Sequence, residues 1–125
     1  IPGGLRATLH DGTTLEADQI LYATGRHPKT AGLGLENFGV ELRDDGAIVV
    51  DEYSRTSVPH IFAVGDCTNR LNLTPMALAE GQAVAETLFR DNPTKPDHTN
   101  VPTAVFTEPN IGTVGLTEAE ARARY

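Results

Sequence analysis

The feature that most limits what this chain can fold into is a short apolar run, Ile61-Phe62-Ala63-Val64, stopped by Gly65-Asp66 and followed, eight residues past Asp66, by Thr74-Pro75. Four apolar residues between turn signals predict a buried strand. The preceding connection, Thr56 to His60, contains Pro59, which lacks a ladder N–H and is excluded from a central strand. Thr74 is a good N-cap and Pro75 suits the first helical position, so a helix is predicted from there to about Arg90. Ala77, Gly81 and Ala85 fall at i, i+4 and i+8, a small-residue stripe for close packing, with Val84 and Leu88 beside it.

The flanking segments extend that pattern. Leu5, Ala7 and Leu9 alternate with polar residues, and Asp11-Gly12 is a hairpin signal leading to a second strand around Thr14-Leu15-Glu16. Gln19 to Ala23 is nearly all apolar and reads as a strand covered on both faces, halted by Thr24-Gly25-Arg26-His27-Pro28. Residues 29–46 read as loop, and Ala47 to Val50 as a strand. Asn92-Pro93 and Lys95-Pro96 mark a linker. Thr103 to Phe106 and Ile111 to Leu116 predict two strands of a new sheet, and Thr117-Glu118-Ala119-Glu120 predicts a capping box opening a last helix.

Composition narrows the function. The 125 residues allow about one domain's worth of chain, and the sequence holds no apolar run long enough to span a membrane. The net charge is −7 without a Lys/Arg cluster, which argues against a nucleic-acid surface. Cys67 is the one cysteine, so an internal disulfide and a CxxC metal or redox motif are both excluded. With no sign of an oxidising compartment, cytoplasm is the default expectation. The opening Ile1-Pro2-Gly3-Gly4 shows no signal peptide, and both ends read as cut.

Three features carry chemistry. Gly25 ends a predicted strand, where ligands of open α/β sheets sit, and its missing Cβ would admit close approach of a ligand. Arg26 next to it can neutralise a phosphate or pair with an acidic neighbour. The same residues also fit an ordinary strand exit with a surface Arg. Asp66 stands at the mouth of an apolar strand, where a carboxylate can accept hydrogen bonds from sugar or ribityl hydroxyls, and Gly65 clears space beside it. A simple turn cap is the alternative for Asp66. Finally, Asn72-Leu73-Thr74-Pro75-Met76-Ala77 opens a helix whose free N–H groups and positive dipole end attract negative charge, such as that of a reduced flavin. A well-capped surface helix is the alternative there.

Together the ATGRxP, TxxxxxFAVGD and LTPxA segments resemble the pyridine-nucleotide disulfide oxidoreductase family, and Asn72 to Pro75 with Ile111 to Glu118 resemble its glutathione reductase branch. The resemblance covers nearly the whole chain. It implies an α/β fragment in three parts: residues 1–27 closing an NADPH-binding domain, 28–98 belonging to an FAD-binding domain, and 99–125 opening an α+β dimerisation domain. It implies FAD and NADPH as cofactors, glutathione disulfide as substrate, and a homodimer. By resemblance Asp66 would bind the ribityl chain, Thr74 the flavin ring, and Gly25 would lie against NADPH. Asn72 and Leu73 would lie near the nicotinamide, and Ala104 beside the NADPH path, where the family usually has Val. Gln82 stands where several members have an Arg that reaches the substrate carboxylate.

The family's CxxxxC redox pair and HPT-type acid–base His have no counterpart in this sequence, so no catalytic residue and no metal ligand is assigned. Cys67 reads as a small residue beside the FAD loop, because a lone cysteine cannot form the dithiol this chemistry needs. His10, His27, His60 and His98 read as surface or local hydrogen-bonding residues. Other reductases of the family, such as dihydrolipoamide dehydrogenase and mercuric or trypanothione-type reductases, fit the same pattern, as does a binding or structural fragment that holds no flavin.

Overall fold

The computed structural model describes residues 3–125; Ile1 and Pro2, and the reading of the chain's start that includes them, lie outside the described residues. The chain opens with a hairpin of β1 (Leu5–Thr8) and β2 (Thr14–Ala17), paired antiparallel with Leu5 opposite Ala17 and Thr8 opposite Thr14. Its turn forms where Asp11-Gly12 predicts one. The Asp11 carboxylate accepts the Thr13 N–H at 2.9 Å, and Gly12 takes a φ of 85°, a region open to glycine.

The strand expected over Gln19 to Ala23 is not there. Leu21 and Tyr22 are 90% and 81% exposed. Periodicity identified a run fit for burial on two faces, but nothing among the described residues covers either face. The runs Ala47 to Val50 and Ile61 to Val64 likewise fall short of strands. Each is extended and held by a single bridge, Leu42 to Ile48 and Arg55 to Phe62. An extended run becomes a sheet strand only where a neighbour pairs its N–H and C=O groups in succession, and one bridge is all each run finds.

These runs still build the centre of the molecule. Val40, Ile48 and Ala63 are buried together, with Leu35, Val50, Val58, Ile61 and Cys67 packed on them. Two tight turns bring the runs together. Asp45 accepts the Ala47 N–H at 3.0 Å, while Asp51 accepts both Tyr53 and Arg55 N–H at 2.9 Å. Such side-chain acceptors replace the ladder partners that the loop backbone lacks.

After Val64 a 3-10 turn, Gly65–Thr68, leads to helix α1 (Thr74–Phe89). The N-cap is Leu73, in extended conformation and without a side-chain cap, so Thr74 and Pro75 fall inside the first turn rather than Thr74 capping it. The proline ring still suits that turn, where an N–H has no helical acceptor. The face that α1 buries is Met76, Glu80 and Ala83. The predicted stripe Ala77, Gly81 and Ala85 is half-buried beside it. Ala77 packs against Gly65, and a Cβ built on Gly65 would lie 3.1 Å from the Ala77 Cβ.

The last part holds β3 (Thr103–Val105) and β4 (Ile111–Thr113), antiparallel with Ala104 opposite Gly112, and then α2 (Glu118–Arg124). Both strands are shorter than expected. The capping box is complete: Thr117 Oγ1 accepts the Glu120 N–H at 3.3 Å, and the Glu120 carboxylate accepts the Thr117 N–H at 2.8 Å.

Large apolar side chains stay exposed along the chain, among them Phe89, Phe106 and Val114. Exposed apolar surface on this scale marks faces that need a covering partner. The isolated 125-residue chain is therefore expected to bind a hydrophobic dye and to melt without a sharp transition. A cooperative melt with native-like near-UV dichroism would contradict this.

Candidate functional site

Gly25, Arg26, Lys29, Asp66, Cys67 and Asn72 line one cleft of about 430 Å³, together with His27 and Pro28. That volume falls within the range of small-ligand pockets, about 300–1,000 Å³. The cleft joins the exit of the 19–23 segment to the mouth of the 61–64 run and the approach to α1. Four of the sequence-predicted residues, Gly25, Arg26, Asp66 and Asn72, thus meet across one space. Gly65, Leu73 and Thr74 are their chain neighbours but do not line it. Ala104 lies elsewhere, in a shallower and mostly apolar cleft between β3 and β4 beside Thr103, Gly112 and Val114.

Asp66 is the acidic group of the cleft. Its side chain is about half exposed, at 53%, and its Oδ2 lies 3.7 Å from Arg26 Nη1. Among the described residues its carboxylate accepts no hydrogen bond, so the carboxylate lone pairs remain available to a ligand's hydroxyls. Arg26 is more exposed still, and a pair of this length between two exposed groups contributes little to stability. Gly25 has a φ of 109°, and a Cβ there would meet open space, so the backbone at this position can be approached closely. Asn72 is exposed and donates to the Asn69 side chain at 2.9 Å. Thr74 is exposed at the start of α1, where the first-turn N–H groups have no helical acceptor.

Gly65 has a different role from the one its sequence context indicates. The room left by its missing side chain is filled by Ala77, not by open cleft, and its φ of 73° lies in the left-handed region. Its N–H donates to Glu80 Oε2 at 2.6 Å.

Glu80 is the residue that sequence reasoning missed. It is 1% exposed, and its carboxylate is met from three sides. Besides the Gly65 N–H, Arg70 Nη2 lies 3.0 Å and His98 Nε2 2.7 Å from Oε1. Arg70 in turn donates to Ser54 Oγ at 2.9 Å, and Ser54 is fully buried. Burial pushes the Glu80 carboxyl up. The Gly65 N–H, His98 and Arg70 outweigh that and leave it below the usual glutamate range. His98 is accordingly half-buried and tied to α1, a local hydrogen-bonding histidine rather than a surface one. A signal was present in the sequence: Glu80 is four residues from Met76 and three from Ala83, on the stripe that α1 buries.

Cys67 packs against the core and donates its thiol to the Val64 carbonyl at 3.2 Å. Burial pushes the thiol up, away from the thiolate that nucleophilic chemistry requires. No group of three or more His, Cys, Asp or Glu side chains is placed to hold a metal ion among the described residues. No helix there is long and apolar enough to cross a membrane.

Comparison with known proteins places this geometry. The sequence profile described as pyridine nucleotide-disulphide oxidoreductase matches residues 2–81. The chain is 55% identical to the chloroplastic/mitochondrial glutathione reductase of Pisum sativum, over 98% of this chain and 22% of that protein. It is 55% identical to the glutathione reductase of Burkholderia cepacia, over 98% of this chain and 27% of the relative. Against the trypanothione reductase of Trypanosoma congolense the identity is 52%, over 98% and 25%. Among solved structures, the HOCl-induced flavoprotein disulfide reductase RclA from Escherichia coli superposes with a TM-score of 0.88 at 34% identity, over 97% of this chain and 28% of that one. The chain spans about a quarter of the length of these relatives. It is part of a larger α/β flavoprotein fold. It belongs to the pyridine nucleotide-disulphide oxidoreductase family.

Glu80 held ionised by folding makes a signed statement about pH. Its contribution is fully present above the ordinary glutamate value of 4.5 and is lost as pH falls through the depressed folded value. In the full-length protein Glu80→Ala, which leaves Arg70 without its buried partner, is expected to cost about 3–5 kcal/mol at pH 7. The loss should shrink as pH falls below the glutamate range. Urea denaturation at neutral and acid pH checks this, and an equal loss at both would contradict it.

Proposed function

We propose that this chain is a segment of an FAD-dependent, NADPH-linked reductase of glutathione disulfide. The observation that carries the reading is the meeting of Gly25, Arg26, Asp66 and Asn72 across one cleft, although 40 positions of sequence separate Arg26 from Asp66. The named glutathione reductases at 55% identity support the substrate. In this reading residues 1–27 close the nicotinamide nucleotide domain, 28–98 belong to the FAD domain, and 99–125 open the surface through which two copies associate.

FAD, when bound, supplies the chemistry that takes hydride from a nicotinamide and passes electrons to a disulfide. The chain's own residues bind and orient. Asp66 accepts hydrogen bonds from the ribityl chain, and its half-exposed carboxylate fits that task. The α1 start at Thr74 turns unpaired N–H groups and a positive dipole end toward negative charge on the flavin ring. Gly25 lets the nucleotide approach the backbone, and Arg26 offsets phosphate charge. Asn72 and Leu73 border the nicotinamide side, whereas Ala104 lies in the separate β3–β4 cleft. The redox cysteines and the acid–base histidine come from the rest of the protein.

The full-length protein should be yellow as purified and should oxidise NADPH when glutathione disulfide is added. Asp66→Ala removes a charged acceptor from hydroxyl donors, worth about 1.5–3 kcal/mol. FAD affinity should therefore fall by about 10–100-fold, measured by flavin fluorescence on reconstitution. A colourless protein that gains no flavin, or an Asp66→Ala variant with unchanged affinity, would contradict the reading.

A further inference from the structure

We propose that Glu80 is a positioning residue for flavin binding, acting through the backbone of the Gly65-Asp66 turn. The inference rests on the flavin-binding reading of Asp66. Glu80 touches nothing in the cleft, yet its Oε2 accepts the Gly65 N–H at 2.6 Å, one residue before Asp66. The turn it grips leaves little freedom. Gly65 is in the left-handed region at φ 73°, a Cβ on it would lie 3.1 Å from the Ala77 Cβ, and its carbonyl accepts Thr68 Oγ1 at 2.8 Å. Glu80 thus ties the turn that aims the Asp66 carboxylate to the helix that follows Asn72, which lines the same cleft. One buried side chain sets the spacing between the two groups that would hold the flavin.

The other half of the carboxylate has a separate task. Oε1 meets Arg70 and His98, which come from the segments before and after α1. Reach to Gly65 and charge toward Arg70 and His98 are therefore separable. Asp is one methylene shorter: it keeps the charge but cannot span to the Gly65 N–H from the same Cα. Gln keeps the reach and an acceptor oxygen but loses the charge.

The test uses full-length protein, deflavinated and titrated with FAD. Glu80→Asp is expected to weaken FAD affinity by tenfold or more, while Glu80→Gln stays within threefold of the native protein and loses thermal stability instead. In an Asp66→Ala background the effect of Glu80→Asp should fall below twofold, because a residue that acts by aiming Asp66 has nothing left to aim. A merely structural role would give the same loss in both backgrounds. The inference is overturned if Glu80→Asp binds FAD within twofold of the native protein, or if its effect is undiminished without the Asp66 carboxylate. Failure of the native full-length protein to bind FAD would instead remove the flavin reading of Asp66, and this inference with it.

Discussion

The buried carboxylate of Glu80 is the interaction on which the middle of this molecule depends. A charge taken out of water is tolerated only where partners replace its hydration, and here three groups from three stretches of chain do so. The Gly65 N–H comes from the turn after the core run, Arg70 from the approach to α1, and His98 from the linker beyond it. Arg70 then reaches Ser54, which sits fully buried with a φ of 64°. One carboxylate thereby fixes the helix, the turn, the loop and the linker relative to one another. The apolar core around Val40, Ile48 and Ala63 is small, so this polar network has a large share in defining a single arrangement.

The candidate site follows from that arrangement. Ala77 can approach Gly65 only because Gly65 has no Cβ. That contact seats α1 against the turn, and the turn presents Asp66 at the cleft with its acceptor lone pairs free. Across the cleft, Arg26 and Gly25 stand on a segment that pairs with no strand among the described residues. The site thus has one well-anchored wall, formed by Asp66, Cys67 and Asn72, and one wall held by few contacts.

The sequence made local features legible where the signal was itself local. The Asp11-Gly12 hairpin and the Thr117 to Glu120 capping box both depend on residues a few positions apart, and both form as read. The runs at 19–23, 47–50 and 61–64 were legible as apolar segments but not as the single bridges or unpaired chain they are, because a strand's identity lies in its neighbours. The N-cap is Leu73 rather than Thr74, one residue earlier than the Thr-Pro pair indicates. Of the candidate residues, Gly25, Arg26, Asp66 and Asn72 meet in one space, while Ala104 lies in another cleft. Glu80 was passed over because glutamate on a helix is usually solvated, and only the face it shares with Met76 and Ala83 marked it as buried.

The central claim is that Asp66 and the start of α1 hold one flavin between them. An experimental structure of the full-length protein with FAD bound tests it most directly. The account predicts ribityl hydroxyls within hydrogen-bonding distance of the Asp66 carboxylate, with the flavin ring at the amino end of α1 beside Thr74. A flavin bound elsewhere, or one whose ribityl chain leaves Asp66 paired only with Arg26, would contradict it.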